Sequence, residues 1–391
     1  MRPSALRVTL ASPLYRGATV ALFLSGLGFS AAAPQIASFL VNDLHVSLTT
    51  AGLFYLSNLT APVAGYLIGA RSDRTGNRLG LFRLCALAGF VGWLGIAVAT
   101  QAWQPFVISA LVLAFAGAAA SQLFAAIHDE AATDGVVSIV RMALTAGWIV
   151  GPVLGSLLAA AVSPRAMLAM TAVCTLAQIV PLGVLRTCAR PPAAVADVPV
   201  VPRRGLRAMA PLLTFTGLYV LVYAGEPIKY AYLPIYLRTE LRLPSLTSGA
   251  IIGIQPLVEL LLMPLAIVVA RRVGAMRLMV LGAAFGVGAN LCFALSGTVF
   301  GMFAGQVLMG GVWGVFAALG IIVAQRLLPD AVATASAVFM SSTALASALG
   351  GLTGGVGVGV LGLPQVFLLP AVFGVAATIG IAVQASVIRR R

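Results

Sequence analysis

The sequence predicts an all-α integral membrane protein, twelve transmembrane helices arranged as two pseudo-symmetric six-helix halves. Three observations carry that prediction. Of 391 residues, 60% are hydrophobic and only 9% are charged, against about 25% charged in soluble domains. Apolar runs recur along the chain, each long enough for a bilayer core that takes about 20 helical residues to cross. Arginines gather on alternate connections between those runs, the pattern of the positive-inside rule. A soluble globular protein is thereby excluded.

The runs follow in order. The first, 16–41, opens at Arg16 and closes at Asn42-Asp43; the second, 48–70, ends at the basic stretch from Arg71 to Arg78. Then come 79–99, 105–127 (closed by His128-Asp129-Glu130), 136–162 and 165–186. After a hydrophilic interval follow 209–237, 246–270, 276–296, 299–325, 332–359 and 364–388. The Gly-rich stretches 299–325 and 350–359 read as helical or irregular. The long run 209–237 contains Pro227 and Pro234, which invite a kink or a broken end.

Charge orients the chain. With the N-terminus inside, the cytoplasmic segments hold nearly all the arginines, and the outer loops hold only Arg165, Arg238 and Arg242. Both termini are therefore expected in the cytoplasm. This asymmetry absorbs most of the formal charge of +14, so a nucleic-acid partner has no remaining motive; the expected partners are the lipid bilayer and a small-molecule solute. Residues 1–15 lack the apolar core of a signal peptide, so the first run is expected to stay as a span. Cys85, Cys174, Cys188 and Cys292 form no CxxC pair and read as small hydrophobes, without a disulfide framework or a metal site. No Walker, zinc or nucleophile motif occurs, so neither enzymatic nor ATP-driven chemistry is expected, and no cofactor.

The hydrophilic interval 187–208, rich in Pro and Arg, reads as a cytoplasmic linker between an N-terminal bundle, 1–186, and a C-terminal bundle, 209–391. The halves are weakly similar. Residues 43–52 align without gaps on 240–249, the same register sets Asn58 on Gln255, and one residue further Arg74 and Gly76 fall on Arg272 and Gly274. Parallel repeats are the architecture of secondary transporters, with the solute site expected between the repeats.

Two motifs sharpen the picture. Gly69-Ala70-Arg71-Ser72-Asp73-Arg74-Thr75-Gly76-Asn77-Arg78 resembles the loop 2–3 signature of the major facilitator superfamily, with Asn77 in place of the first basic residue of its final pair. Gly147-Trp148-Ile149-Val150-Gly151-Pro152-Val153-Leu154-Gly155 resembles the helix-five signature associated with exporters of that superfamily. A finer likeness, to the sugar efflux transporter branch, rests on Phe39 to His45, Gly65 to Gly80, Arg141 with Trp148 to Pro152, Glu240 to Pro244, and Glu259. The resemblance implies a bacterial inner-membrane carrier that works as a monomer, exporting sugars by alternating access in exchange for protons, with the proton gradient as energy source. It also implies that Gly69, Asp73, Arg74, Gly76 and Arg78 form an inner gate, in which Asp73 pairs with a helix of the opposite half and Arg74 and Arg78 stay near headgroups. The bland alternative is an ordinary basic loop. In the second-half copy Arg271 stands where Asp73 would align, so that gate is degenerate.

Ionisable residues inside spans are the sharpest candidates, because an unpaired charge at mid-bilayer costs at least about 2.5 kcal/mol. Glu226 and Lys229 stand three residues apart in helix seven and can face each other. They read either as a self-neutralising structural pair or as a solute or proton site. Glu259, one turn after Gln255 in helix eight, is a candidate proton carrier, as is Glu226; a structural hydrogen-bonding role is the alternative for Glu259. Arg141, Thr145 and Trp148 share a face of helix five, where Arg141 can also snorkel. Gly147, Gly151 and Gly155 form a smooth stripe beside Pro152, expected to bend the helix, as a hinge or as plain packing. Gln35, Asn58, Gln122, Gln255 and Asn290 are amides in apolar spans; with Trp148, Tyr223, Tyr230, Tyr232 and Trp313 they suit a neutral hydroxylated ligand, or simply glue helices. His45 and His128-Asp129-Glu130 read as solvated loop residues. Rivals to sugar export are proton-coupled multidrug efflux, which the helix-five signature also permits, and a non-transporting membrane sensor of the same fold.

Overall fold

A computed structural model describes residues 5–130, 134–183, 185, 206–329 and 332–390. Residues 187–205 of the expected linker, Cys188 among them, lie outside the described residues. Among the described residues all regular structure is helical, and twelve helices are long and apolar enough to cross a membrane. They are α1 (Pro13–Asn42), α2 (Leu48–Thr75), α3 (Arg78–Ala97), α4 (Trp103–Asp129), α5 (Gly135–Ala161) and α6 (Pro164–Leu182). After these come α7 (Met209–Thr239), α8 (Ser245–Val273), α9 (Ala275–Leu295), α10 (Val299–Leu327), α11 (Val338–Leu361) and α12 (Gln365–Val387). The twelve expected spans are all present.

Local chemistry starts several of these helices. The side chains of Ser12, Ser47, Asn77, Ser163 and Thr298 each accept a hydrogen bond from a backbone N–H in the first turn that follows, which satisfies a donor that the helix cannot pair internally. Asn77, the departure from the superfamily signature, is thus the cap of α3. Gly76 ends α2 at φ 65° and Gly274 ends α8 at φ 93°, a left-handed backbone open to glycine at matching positions of the internal repeat.

Prolines and glycines settle the points left open. In α7 the helix stops at Tyr223 and restarts at Gly225. Pro227 has no N–H for the carbonyl four residues earlier, and its ring clashes with that carbonyl, which belongs to Tyr223. The break therefore precedes Pro227, while Pro234 sits within the second segment without ending it. Helix α2 carries a 3-10 segment at Phe54–Thr60, and α4 a π segment at Ser109–Leu113; neither was foreseen. The Gly-rich stretches, held open as irregular, are uninterrupted helix over Val299–Leu327 and Val332–Leu361. An internally bonded helix is how backbone polar groups stay paired in lipid.

The chain forms two compact units, one of Met1–His45 and Ser57–Ala196, the other of Val46–Leu56 and Asp197–Arg391. In unit one, α5 lies along α1 and α3 along α6; in unit two, α10 packs on α8 and α9, and α9 on α12. The first turns of α2 join unit two by packing on α11. The α1–α5 contact depends on the small-residue stripe, because Cβ atoms at Gly147, Gly151 and Gly155 would lie 2.5, 2.6 and 2.7 Å from the carbonyl oxygens of Phe23, Leu27 and Ala31. The backbone of α5 continues through Pro152.

Gly151→Leu must push α5 off α1, and we expect it to destabilise the protein by about 1–3 kcal/mol, as overpacking does. Gly217→Leu, where a Cβ meets nothing within 4 Å, is expected to melt like the wild type in detergent. Equal melting temperatures for the two variants would contradict the packing role of the stripe.

Candidate functional site

Unit two concentrates its buried charge at the break in α7. Glu226 falls in the first turn of the segment Gly225–Thr239, where the helix dipole favours an anion. Three residues on, Lys229 shares its face. The Lys229 ammonium donates to Glu226 Oε1 at 2.8 Å and Oε2 at 2.7 Å, and to Gln255 Oε1 from α8. Trp313 Nε1 of α10 donates to Glu226 Oε1 at 2.6 Å. Lys229 is 1% exposed and Glu226 6%, so both charges are desolvated, and they survive because each is bonded several times over. The ammonium also lies 4.6 Å from the Tyr230 ring centre.

Aromatic rings flank this cluster. Tyr223 meets Trp313 edge-on at 5.1 Å and stacks on Tyr219 at 6.1 Å; Tyr219 in turn contacts Phe339 at 4.6 Å. The close approach of α8 to α10 rests on glycine, since a Cβ at Gly310 would lie 2.9 Å from the Gln255 carbonyl oxygen and one at Gly314 2.7 Å from Leu262 Cβ. That approach brings Gln255 and Trp313 to one ion pair. Glu259, half-buried on α8, lies within electrostatic reach of Lys229, Tyr219, Tyr223 and Tyr230. Asn290 is buried on α9, its amide donating to the Gly286 carbonyl at 2.7 Å. Its Oδ1 has no partner among the described residues.

In unit one the candidates bond to their neighbours. Gln35 donates to Ser156 Oγ at 3.1 Å, tying α1 to α5. Gln122 of α4 accepts from Ser72 of α2. Trp148 is half-buried with its ring 5.5 Å from Phe29, Asn58 is half-buried in the 3-10 segment, and Arg141 is exposed. In the loop 2–3 signature, Asp73 pairs with Arg78 of its own loop at 2.6 Å. Arg78 also donates to Asp129 at 3.1 Å and to Ser72 Oγ at 2.8 Å, with its side chain 17% exposed. Arg78 thus ties the ends of α2 and α4, where solvation at headgroups was expected. Arg74 is exposed, as are Asp73, His45 and His128. Asp129 and Glu130 are exposed as well; Asp129, in the last turn of α4, also accepts from Arg78, and the Glu130 carbonyl accepts from Tyr15 Oη at 3.2 Å.

Gly69 lies in open space. Three groups of unit two escaped sequence reasoning. Tyr219 stands four residues before Tyr223, a helical aromatic repeat visible in the sequence. Gln306, fully buried with neither amide atom bonded among the described residues, is an amide in an apolar span like those singled out. Tyr55 carried no signal beyond being a polar-tipped residue within a span.

The family description Major Facilitator Superfamily matches residues 18–299. The chain belongs to the Major Facilitator Superfamily. It is a multi-pass membrane transporter and not an enzyme. This superfamily member is 27% identical over 373 residues to a provisionally named sugar efflux transporter of Deinococcus radiodurans, covering 92% of this chain and 95% of that one. It is also 27% identical to sugar efflux transporter A of Dickeya chrysanthemi, over 86% and 87% of the two chains. Its fold is shared with a variant of the nucleoside transporter NupG, at TM-score 0.82 and 18% identity over 95% of this chain and 99% of that one. The D-xylose-proton symporter shares it too, at TM-score 0.75 and 17% identity over 94% and 96% of the chains.

Lys229→Met leaves the Glu226 carboxylate buried without its counter-ion, and we expect a loss of about 3–5 kcal/mol. The double variant Glu226→Gln with Lys229→Met should recover most of that loss. Thermal melting of the purified variants checks both; a single variant as stable as the wild type would mean that Glu226 is neutralised by a proton or by another cation.

Proposed function

We propose that this protein is a sugar exporter driven by proton exchange, working by alternating access as a monomer in a bacterial inner membrane, with both termini cytoplasmic. The observation that carries the reading is the Glu226–Lys229–Gln255–Trp313 cluster in unit two, flanked by Tyr219, Tyr223 and Tyr230. Hydrogen-bonding groups and flat aromatic faces at one buried place are what a polyhydroxylated ring binds: hydroxyls exchange for side-chain bonds and C–H faces lie on rings. The likeness to sugar efflux transporters over most of the chain supports the solute class, and the arginine asymmetry supports the orientation.

In the proposed cycle a sugar enters from the cytoplasm and its hydroxyls compete for the bonds that Gln255 and Trp313 make to the ion pair. Glu259 or Glu226 takes up a proton from the outer side as the sugar leaves, and returns it inward on the empty carrier. Only a solute or proton that binds the two states with different affinity can drive the change between them. The aromatic contacts of Tyr219 with Phe339 and Phe316 favour one second reading, proton-coupled efflux of hydrophobic drugs.

Uptake into inside-out vesicles, with glucose, galactose, xylose and lactose offered with and without a pH gradient, tests the proposal. We expect gradient-dependent accumulation of at least one sugar, and its reduction by about tenfold or more in Glu259→Gln, in keeping with loss of a proton-transfer group. Unchanged gradient-driven uptake by Glu259→Gln would remove Glu259 from the mechanism; accumulation of hydrophobic cations but of no sugar would favour the drug reading.

A further inference from the structure

The bonding capacity of the charged cluster is largely occupied within the protein. Lys229 gives its hydrogens to both Glu226 oxygens and to Gln255, and Glu226 also receives Trp313. A solute that binds there gains most from polar groups that are buried and still open, since such groups are costly to leave unbonded.

Tyr55 supplies such a group. It lies in the stretch Val46–Leu56 of α2 that belongs to unit two, as the second residue of the seven-residue 3-10 segment Phe54–Thr60. A 3-10 stretch within a long helix often marks a functional hinge or local strain. The residue packs on α11: its carbonyl accepts from Ser347 Oγ at 3.4 Å, and a Cβ at Gly351 of that helix would lie 3.1 Å from Tyr55 Cβ. Its ring stands edge-on to Phe54 at 5.9 Å. The hydroxyl is buried and has no hydrogen-bond partner among the described residues, while Glu226, Tyr230 and Tyr232 lie within its electrostatic reach. Tyr232 is otherwise engaged, since its own hydroxyl donates to the Leu48 carbonyl at 3.1 Å.

We infer that Tyr55 is a solute-contacting residue, whose phenolic hydroxyl donates a hydrogen bond to an oxygen of a polyhydroxylated solute held beside the Glu226–Lys229 pair. The inference rests on the sugar reading above and adds to it a specificity-determining contact from α2. The chemistry selects for oxygen: a ligand without an acceptor at this point leaves the phenol unpaired, so a sugar is favoured over an apolar compound of the same size. A phenol has one hydrogen to donate, so it addresses one solute oxygen.

The test is uptake by inside-out vesicles carrying the wild type or Tyr55→Phe, using the best-transported hexose of the panel, glucose or galactose, and its monodeoxy analogues. Tyr55→Phe is expected to raise the half-saturating concentration about three- to tenfold, the worth of one neutral hydrogen bond, with the maximal rate and melting temperature kept. One deoxy analogue, lacking the oxygen that Tyr55 addresses, should be carried equally by both proteins. Identical half-saturation in the two proteins for every sugar overturns the inference. So does an equal loss across the whole deoxy series, which points to a buried water or to a structural role. Failure of the wild type to carry any sugar is a separate result, read in the wild-type vesicles alone; it overturns the sugar reading and the Tyr55 contact with it.

Discussion

A lysine and a glutamate, each more than nine-tenths buried, can remain in an apolar bundle only as a bonded pair, because neither finds water to replace its lost hydration. That constraint organises unit two. Helix α7 breaks at Ala224 and so sets Glu226 at the start of a new helical segment. Helix α8 comes close enough to α10 for Gln255 and Trp313 to reach the pair from different helices. The glycines of α10 make that approach feasible, and the tyrosines of α7 close the cluster off with rings that are apolar at their faces and polar at their tips.

Unit one solves the same problem with neutral groups. Its buried amides are bonded to serines, Gln35 to Ser156 and Gln122 to Ser72, and Arg78 joins Asp73, Asp129 and Ser72 where α2 and α4 end. The stripe Gly147-Gly151-Gly155 brings two helix backbones together so tightly that serine can reach across, as Ser30 Oγ does to the Gly147 carbonyl at 3.1 Å. Buried charge thus gathers in unit two, and the polar groups of unit one serve chiefly to hold its helices.

Much of this was legible because it is local. Length and apolarity mark a span whatever surrounds it, and Ser12, Ser47 and Thr298 cap helices by reaching their own next turn. The Glu226–Lys229 contact could be read from a three-residue spacing, since neighbours on one helix face need no tertiary information. Where expectation departed from structure, a partner distant in sequence was responsible. Arg78 was expected at the headgroups, but Asp129 of another helix stands against it, and the Gly-rich runs, read as helical or irregular, are helix where neighbouring helices fill the space their missing side chains leave. The kink or break expected in α7 is a break, and it is local too, because the residue four before Pro227 is Tyr223.

The sequence by itself determined that the chain is a twelve-span membrane protein with an internal repeat, and which few side chains would carry charge into lipid. Those properties depend on composition and on spacing along one helix. Tertiary structure alone decided that Gln255 and Trp313 close on the same ion pair and that Gln35 and Gln122 bond within unit one. It alone left the hydroxyl of Tyr55 buried and without a bonding partner among the described residues. Such outcomes depend on the register of one helix against another, to within a fraction of a turn, and no periodicity along a single segment records it.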